Sequence, residues 1–382
     1  MTGRTRGREG AWSRRQAIQL LGMGGLTYAA GCRGRAPDST ASDGDTATSS
    51  SASMGSASTS RFPDGAIVRT ILEDVSPDSL SQGAVLFHEH MSLNVSFWET
   101  LLGDISDEAR ARFLGPADTP YFMQDVDAMV AEMQAAAQNG VAAIADGGHA
   151  DMGRDLGFLR EVSEKSGMPI IASGGYYLDP FIPAALSDQT EEEIAEALAG
   201  AAGAERWGAF GEIASSPEIT PAERKVFNAV AKAHLITHLP IFTHTANGLE
   251  AEVQLDIFES LGVVPDQVVI GHLGGVEDPD ATVHKAIASR GAFVGFDRLG
   301  GGAGADSRKV PMIQAMLDAG YVRNIVLASD FAAAVDTTNQ GGAGYAKTIT
   351  QFVPMLYGAG VTDDEIHAMT VENPLRFLSF VP

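Results

Sequence analysis

Along the chain, apolar runs of strand length alternate with stretches in which apolar residues recur at helical spacing. The strand-like runs fall near residues 83–90, 141–147, 169–176, 207–213, 240–245, 268–273, 291–297 and 324–330. They are rich in Val, Ile, Ala and Phe and scarcely alternate with polar residues, the pattern of strands covered on both faces. Between them, residues 123–138, 221–237, 250–261, 280–290 and 308–319 carry the period of amphipathic helices. Eight strands, each followed by a helix, predict an α/β fold, a closed (β/α)8 TIM barrel of parallel strands. An open doubly wound sheet is the alternative, and the polar residues at the strand ends separate the two.

Several of the apolar runs terminate in a residue able to bind a metal ion. The first, Gly83-Ala-Val-Leu-Phe-His-Glu-His-Met91, ends in His-x-His. Side chains alternate across a strand, so His88 and His90 point one way and Glu89 the other, and two imidazoles side by side make half of a transition-metal site. Later runs end in Gly211-Glu212-Ile-Ala, Ile-Phe-Thr-His244, Val-Val-Ile-Gly-His272 and Ile-Val-Leu-Ala-Ser-Asp330. Six potential ligands, on the first, fourth, fifth, sixth and eighth strands, must meet at one point. Strand C-terminal ends arranged in a ring meet that demand, and barrel enzymes keep their chemistry there; an open sheet would hold its first and last strands too far apart. On the residues alone the chain reads as a metal-dependent hydrolase.

The same residues lie in motifs that resemble those of the phosphotriesterase-related family of the amidohydrolase superfamily. Over residues 65–380 the motifs stand in the family's order: Leu86-Phe-His-Glu-His-Met91, Gly153-Arg-Asp155, Gly174-Gly-Tyr-Tyr177, Ile219-Thr-Pro-Ala-Glu223, Thr243-His-Thr245, Ile270-Gly-His272, Gly295-Phe-Asp-Arg298, Gly341-Gly-Ala-Gly-Tyr345 and Glu372-Asn-Pro-Leu-Arg376. The resemblance implies a centre of two divalent metal ions, most often Zn2+ in this family, with Mn2+, Co2+ or Fe2+ suited to the same donors. One ion would be held by His88, His90 and Asp330 and the other by His244 and His272, with Glu212 bridging them. Many members carry a carboxylated lysine at the bridging position. Glu212, in the aligned Phe-Gly-Glu-Ile-Ala setting, already has two oxygens, and a subgroup of the family is similar in this respect.

Two such ions bring the pKa of a shared water toward neutrality. The resemblance therefore implies that a metal-bridging hydroxide attacks an ester-type bond, in a lactone, carboxyl ester or phosphotriester, while Asp330 orients it and accepts its proton. An amide (N-acyl) hydrolase using the same centre and a non-catalytic metal-binding surface lipoprotein are the alternatives. Tyr177 resembles the family's tyrosine beside the metal pair, where a phenol can hydrogen-bond the substrate oxygen. Asp297 and Arg298 end the seventh strand and should face the mouth, in contact with the ligands or the leaving group. Members often carry an acid two or three residues after the sixth-strand histidine. Here Leu273-Gly-Gly275 follows His272, which leaves a proton relay through such an acid without a residue.

His149, His234, His238, His284 and His367 fall outside these strand ends and read as ordinary surface or capping residues. Gly300-Gly-Gly-Ala-Gly304 and Gly341-Gly-Ala-Gly344 lack the strand, GxGxxG, helix order of a phosphate loop; they read as mobile loops that shape the substrate pocket.

Residues 1–31 have the layout of an export signal: Arg4, Arg6 and Arg8, then Ser13-Arg-Arg-Gln16, then a short apolar run from Ala17 to Gly31. The paired arginines suggest the twin-arginine route, which carries folded proteins. Cys32, the chain's one cysteine, excludes an intramolecular disulfide and resembles a bacterial lipoprotein modification site, although Ala29 stands where leucine is preferred. Residues 32–61 would then be a lipidated cysteine and a disordered Ser/Ala/Thr-rich linker, and residues 62–382 the barrel. The protein is expected at the periplasmic or extracellular face, touching a membrane only through the N-terminal lipid anchor. Loss of residues 1–31 removes five arginines and one glutamate, taking the net charge from −23 to −27. So acidic a surface argues against nucleic acid and for a small-molecule substrate. Dimers are common among family members, so a homodimer is compatible with the resemblance.

Overall fold

The structure is a computed structural model and describes residues 61–103 and 106–382. The expectations of an export signal, a lipidated Cys32 and a linker therefore lie outside the described residues, apart from Arg61. Eight parallel strands follow in sequence: β1 (Ala84–Glu89), β2 (Val141–Asp146), β3 (Ile170–Gly174), β4 (Ala209–Ala214), β5 (Ile241–His244), β6 (Val268–Ile270), β7 (Phe293–Phe296) and β8 (Ile325–Leu327). Each pairs with the next in parallel register, from β1 through β8. This is the α/β barrel expected from the apolar runs, nearly closed. The last seam is closed in a different way. Glu89, turned away from the two histidines that flank it, accepts from the Ser329 and Phe331 backbone N–H groups at 2.8 and 2.7 Å and from the Ser329 hydroxyl at 2.6 Å. Two backbone bonds, His90 N to Phe331 O and Asp330 N to His88 O, flank it. A buried carboxylate thus ties the first strand to the eighth where no ladder does.

The interior is filled by Val85, Phe87, Ala143, Ala145, Ile171, Ala209, Phe242, Val269, Phe293 and Val326, and Phe377 plugs it from the C-terminal helix Asn373–Leu378. Leu86, Ile144 and Phe210 instead pack outward against helices. In β1, Val85 and Phe87 point inward, so strict alternation would turn His88 and His90 out. A register irregularity between Leu86 and Glu89 reverses the parity and brings both histidines inside. β4 repeats the device: an irregularity between Phe210 and Ile213 turns Glu212 inward after Phe210 has pointed out.

Three helices, not one, separate β1 from β2: α1 (Val95–Leu102), α2 (Asp107–Leu114) and α3 (Val126–Gln138). Asn94, Ser106 and Asp125 cap them by accepting N–H groups three residues on. The remaining long helices, α4 (Leu156–Ser166), α5 (Glu191–Glu205), α6 (Pro221–Thr237), α7 (Ala251–Ser260), α8 (Thr282–Ser289) and α9 (Lys309–Asp318), cover the outside. α6 opens with a capping box, and its Glu223 reaches beyond the helix to accept from Ser216 and from the Asp179 backbone. It pins the loops that leave β3 and β4 beside the barrel mouth. Among the described residues no helix is long and apolar enough to cross a membrane.

Candidate metal centre

His88, His90, Glu212, His244, His272 and Asp330 come together at the C-terminal mouth of the barrel. All but Asp330 are 3% exposed or less. Glu212 lies at the middle. Its Oε1 is 3.1 Å from His90 Nε2, and its Oε2 is 2.8 Å from His244 Nδ1, 3.3 Å from His272 Nε2 and 3.4 Å from His88 Nε2. Asp330 Oδ1 approaches His90 Nε2 at 3.1 Å. Donors about 2.05 Å from one ion in a tetrahedron are about 3.3 Å apart, the spacing seen here. The ligand atoms fall into two groups that share Glu212: His88, His90, Glu212 and Asp330, and Glu212, His244 and His272, each within 4.8 Å. No hydrogen bond of good geometry reaches the buried His88 Nε2. By donor chemistry, spacing and this unsatisfied atom, the six residues fit a pair of divalent cations.

The backbone bends sharply to deliver them. His272, Arg298 and Asp330, just beyond the ends of β6, β7 and β8, take left-handed conformations with φ of 60°, 61° and 49°. Such conformations cost on the order of 1 kcal/mol each in non-glycine residues and cluster at functional sites. Gly271 precedes His272 because nothing larger fits: a Cβ there would lie 2.0 Å from the Thr243 carbonyl oxygen.

Asp297 makes the expected contact with the ligands, and only its place in the site needs correction. It does not face the mouth; it is fully buried behind the centre. Its Oδ2 meets His88 Nδ1 at 2.9 Å and its Oδ1 meets His272 Nδ1 at 2.8 Å, so one carboxylate holds one imidazole from each group. The reason is that β7 stops at Phe296 and the left-handed Arg298 swings its own side chain toward the cleft, leaving Asp297 beneath. Arg298 Nε binds Asp330 Oδ2 at 3.0 Å, and its Nη1 binds Asn247 Oδ1 at 3.2 Å. Tyr177 is buried, with its phenol 3.2 Å from His244 Nδ1.

Electrostatics divide the centre. Burial alone would lower every imidazole. For His88 and His90 the Glu212 and Asp330 carboxylates, with Asp297 on His88, outweigh it: His88 lies well above its ordinary value and His90 at about 9. For His244, burial and the neighbouring His272 prevail over Glu212 and push it down to about 4. Burial would raise Glu212 and Asp330, yet the surrounding imidazoles, and Arg298 beside Asp330, hold both carboxyls well below the usual range. Burial, followed by the Glu212 and Asp330 charges, keeps the Tyr177 phenol well above its ordinary value and therefore protonated.

Sequence reasoning missed the supports. Tyr345, from the second Gly-rich motif, donates to the His90 carbonyl at 2.6 Å, and Gln254 of α7 donates to the His244 carbonyl at 2.9 Å. Three of the histidines set aside as surface or capping residues are in fact buried. His284 stacks on Phe296 at 5.0 Å and meets the Leu273 carbonyl, His234 meets the Leu239 carbonyl, and His149 is fully enclosed. His238 does cap α6, and His367 is exposed.

A cleft of about 420 Å3 opens over the centre. Its walls come from α1 and α2 on one side and from the loops after β6, β7 and β8 on the other, including Gly301, Ala305 and Asp336.

Residues 67–378 match the phosphotriesterase family. The chain is 27% identical over 346 residues to an N-acetyltaurine hydrolase of Salmo salar, covering 82% of this chain and 98% of that one. To an aryldialkylphosphatase of Saccharolobus solfataricus it is 30% identical over 271 residues, covering 65% and 84%. Its fold superposes on the crystal structure of the Escherichia coli phosphotriesterase homology protein, complexed with phosphate in its active site, with a TM-score of 0.68 and 27% identity over 78% of this chain and 99% of that one.

Proposed function

This chain belongs to the phosphotriesterase family, a binuclear metal enzyme family, and we propose that it is a hydrolase of ester-type bonds (lactones, carboxyl esters or phosphotriesters). The observation that carries the proposal is Glu212, whose two oxygens contact ligand atoms from both donor groups. His88, His90 and Asp330 would hold one divalent cation, His244 and His272 the other, and Glu212 both. When bound, such a pair supplies a nucleophilic water near neutral pH and polarises the oxygen of the bond to be cut.

The chain's own residues do the rest. Asp330, 14% exposed where the other five residues of the centre are nearly closed off, is the centre's carboxylate most open to the cleft. It takes the proton of the attacking water as the new carbon–oxygen or phosphorus–oxygen bond forms, and that proton reaches the leaving oxygen as the old bond breaks. Arg298 holds Asp330 Oδ2 in place and keeps the carboxyl ionised until then. The protonated Tyr177 phenol donates toward the substrate oxygen. With glycine at 274 and 275 no acid stands two or three residues after His272, so Asp330 delivers that proton to the leaving oxygen without a relay through such a residue.

Amide hydrolysis is a second reading, favoured by the near-complete coverage of the N-acetyltaurine hydrolase relative. A panel of lactone, aryl ester, phosphotriester and N-acyl substrates, assayed with zinc- and manganese-loaded protein, separates them. Turnover of ester-type members above the amides supports the first reading, and turnover of N-acyl substrates alone replaces it with the second.

A further inference from the structure

The cleft is far more basic than the chain that forms it. From Arg61 onward there are 19 lysines and arginines against 45 acids. Yet five of those cations, Arg112, Arg298, Arg308, Lys309 and Lys347, line the cleft with only four acids, two of which are Glu212 and Asp330 of the centre itself. Four of the cations already have carboxylate partners: Arg298 with Asp330, Arg308 with Glu277, Lys309 with Asp306 and Lys347 with Asp336. Arg112, exposed on α2, has no such partner among the described residues; its guanidinium lies 5.8 Å from the Phe113 ring.

From Arg112 an aromatic wall runs without a break to the centre. Phe113 stacks on Trp98 at 4.2 Å, Trp98 meets Phe97 at 5.1 Å, Phe97 meets Tyr177 at 5.8 Å, and Tyr177 meets His244 at 5.2 Å. Phe97, Trp98, Phe113 and Tyr177 all border the cleft. These four rings are 5% exposed or less, so the wall is a packed aromatic edge, shaped to lie against an apolar or aromatic body rather than to gain by being covered. At its far end stands a planar fork with no carboxylate partner among the described residues, the group best suited to a carboxylate, sulfonate or phosphate.

We infer that the substrate is amphipathic, with an apolar body lying along this wall and an anionic group, remote from the bond that is cut, received by Arg112. The inference rests on the hydrolase reading in one respect, that the cleft over the centre is where substrate lies. It does not depend on whether the bond is an ester or an amide. In so acidic a protein, a local basic end also orients an anionic substrate on approach.

The test uses the full chain loaded with zinc, titrated calorimetrically with hexane-1-sulfonate and with 1-hexanol. Arg112 is exposed, so its variants should keep the fold, and unchanged zinc content checks this. The sulfonate should bind about tenfold or more tightly than the alcohol at low salt, the gap narrowing as salt rises. Arg112→Ala should erase the gap and leave hexanol binding where it was, while Arg112→Lys should keep part of it. Equal affinities in the wild type, or a sulfonate preference that survives Arg112→Ala, would overturn the inference. Hydrolysis by the same preparations is read separately. A sulfonate preference without turnover defeats only the hydrolase reading, and turnover without the preference defeats only the anion site.

Discussion

At the floor of the cleft every imidazole of the centre meets a carboxylate, and His88, His90, Glu212, His244 and His272 are all 3% exposed or less. At the rim, Arg308 and Glu277 make the same kind of pair with side chains 56% and 77% exposed. Burial separates the two. On the floor the low dielectric strengthens each charge and the packing fixes each rotamer, so pKa values move far and one substitution disturbs several partners. On the rim, water and salt screen the pair, and holding two long side chains in place offsets most of what it gains. The floor therefore sets what chemistry is available, and the rim is free to vary in what it admits.

The sharpest separation should come from Asp330. Asp330→Asn keeps the shape and one oxygen but cannot accept a proton, so the turnover number should fall about 10²–10⁴-fold while much of the metal stays bound. Near wild-type turnover would remove Asp330 from the chemistry. Asp297 comes next: Asp297→Asn weakens the hold on His88 and His272 together, and metal affinity measured by chelator competition should drop about 10–100-fold. An unchanged affinity would mean that the buried carboxylate is only packing.

Acidity gives a third, smaller separation. His90 in the metal-free protein lies at about 9, above the ordinary imidazole value. A raised folded-state value contributes stability that is fully present below about 6.5 and lost as pH rises through about 9. Metal-free protein should therefore melt at progressively lower temperature across that window. Zinc-loaded protein, whose imidazoles would be neutral ligands, should not follow it, and the two melting curves should diverge with rising pH. Parallel curves would contradict the protonation assigned to the floor. The least effect is expected at the rim: Arg308→Ala should leave the melting temperature within experimental error, and a clear drop would show that the rim is held more firmly than its exposure implies.

The fold was legible because the barrel strands are apolar on both faces, and the eight runs in the sequence coincide with β1 to β8 to within about three residues at each end. The meeting of the six polar residues was legible too, since ring geometry brings strand ends together whatever the loops do. Which face His88, His90 and Glu212 occupy was not contained in alternation, because the irregularities before Glu89 and Ile213 reverse it. Asp297 shares the parity of the inward Phe293, so its contact with the ligands was legible; its depth behind the centre was not, because a strand pattern extrapolated past Phe296 cannot anticipate the left-handed turn at Arg298. The burial of His149, His234 and His284 left no periodic signal. The helices α1 and α2 did leave one, in the caps Asn94 and Ser106, and those helices carry the aromatic wall and Arg112.

The most direct test of the account is metal content. Purified protein reconstituted with zinc or manganese should hold two equivalents per chain by elemental analysis, and Glu212→Ala, which removes the donor common to both groups, should hold fewer. A wild-type chain that retains less than one equivalent would contradict the assignment of these six residues to a two-metal centre.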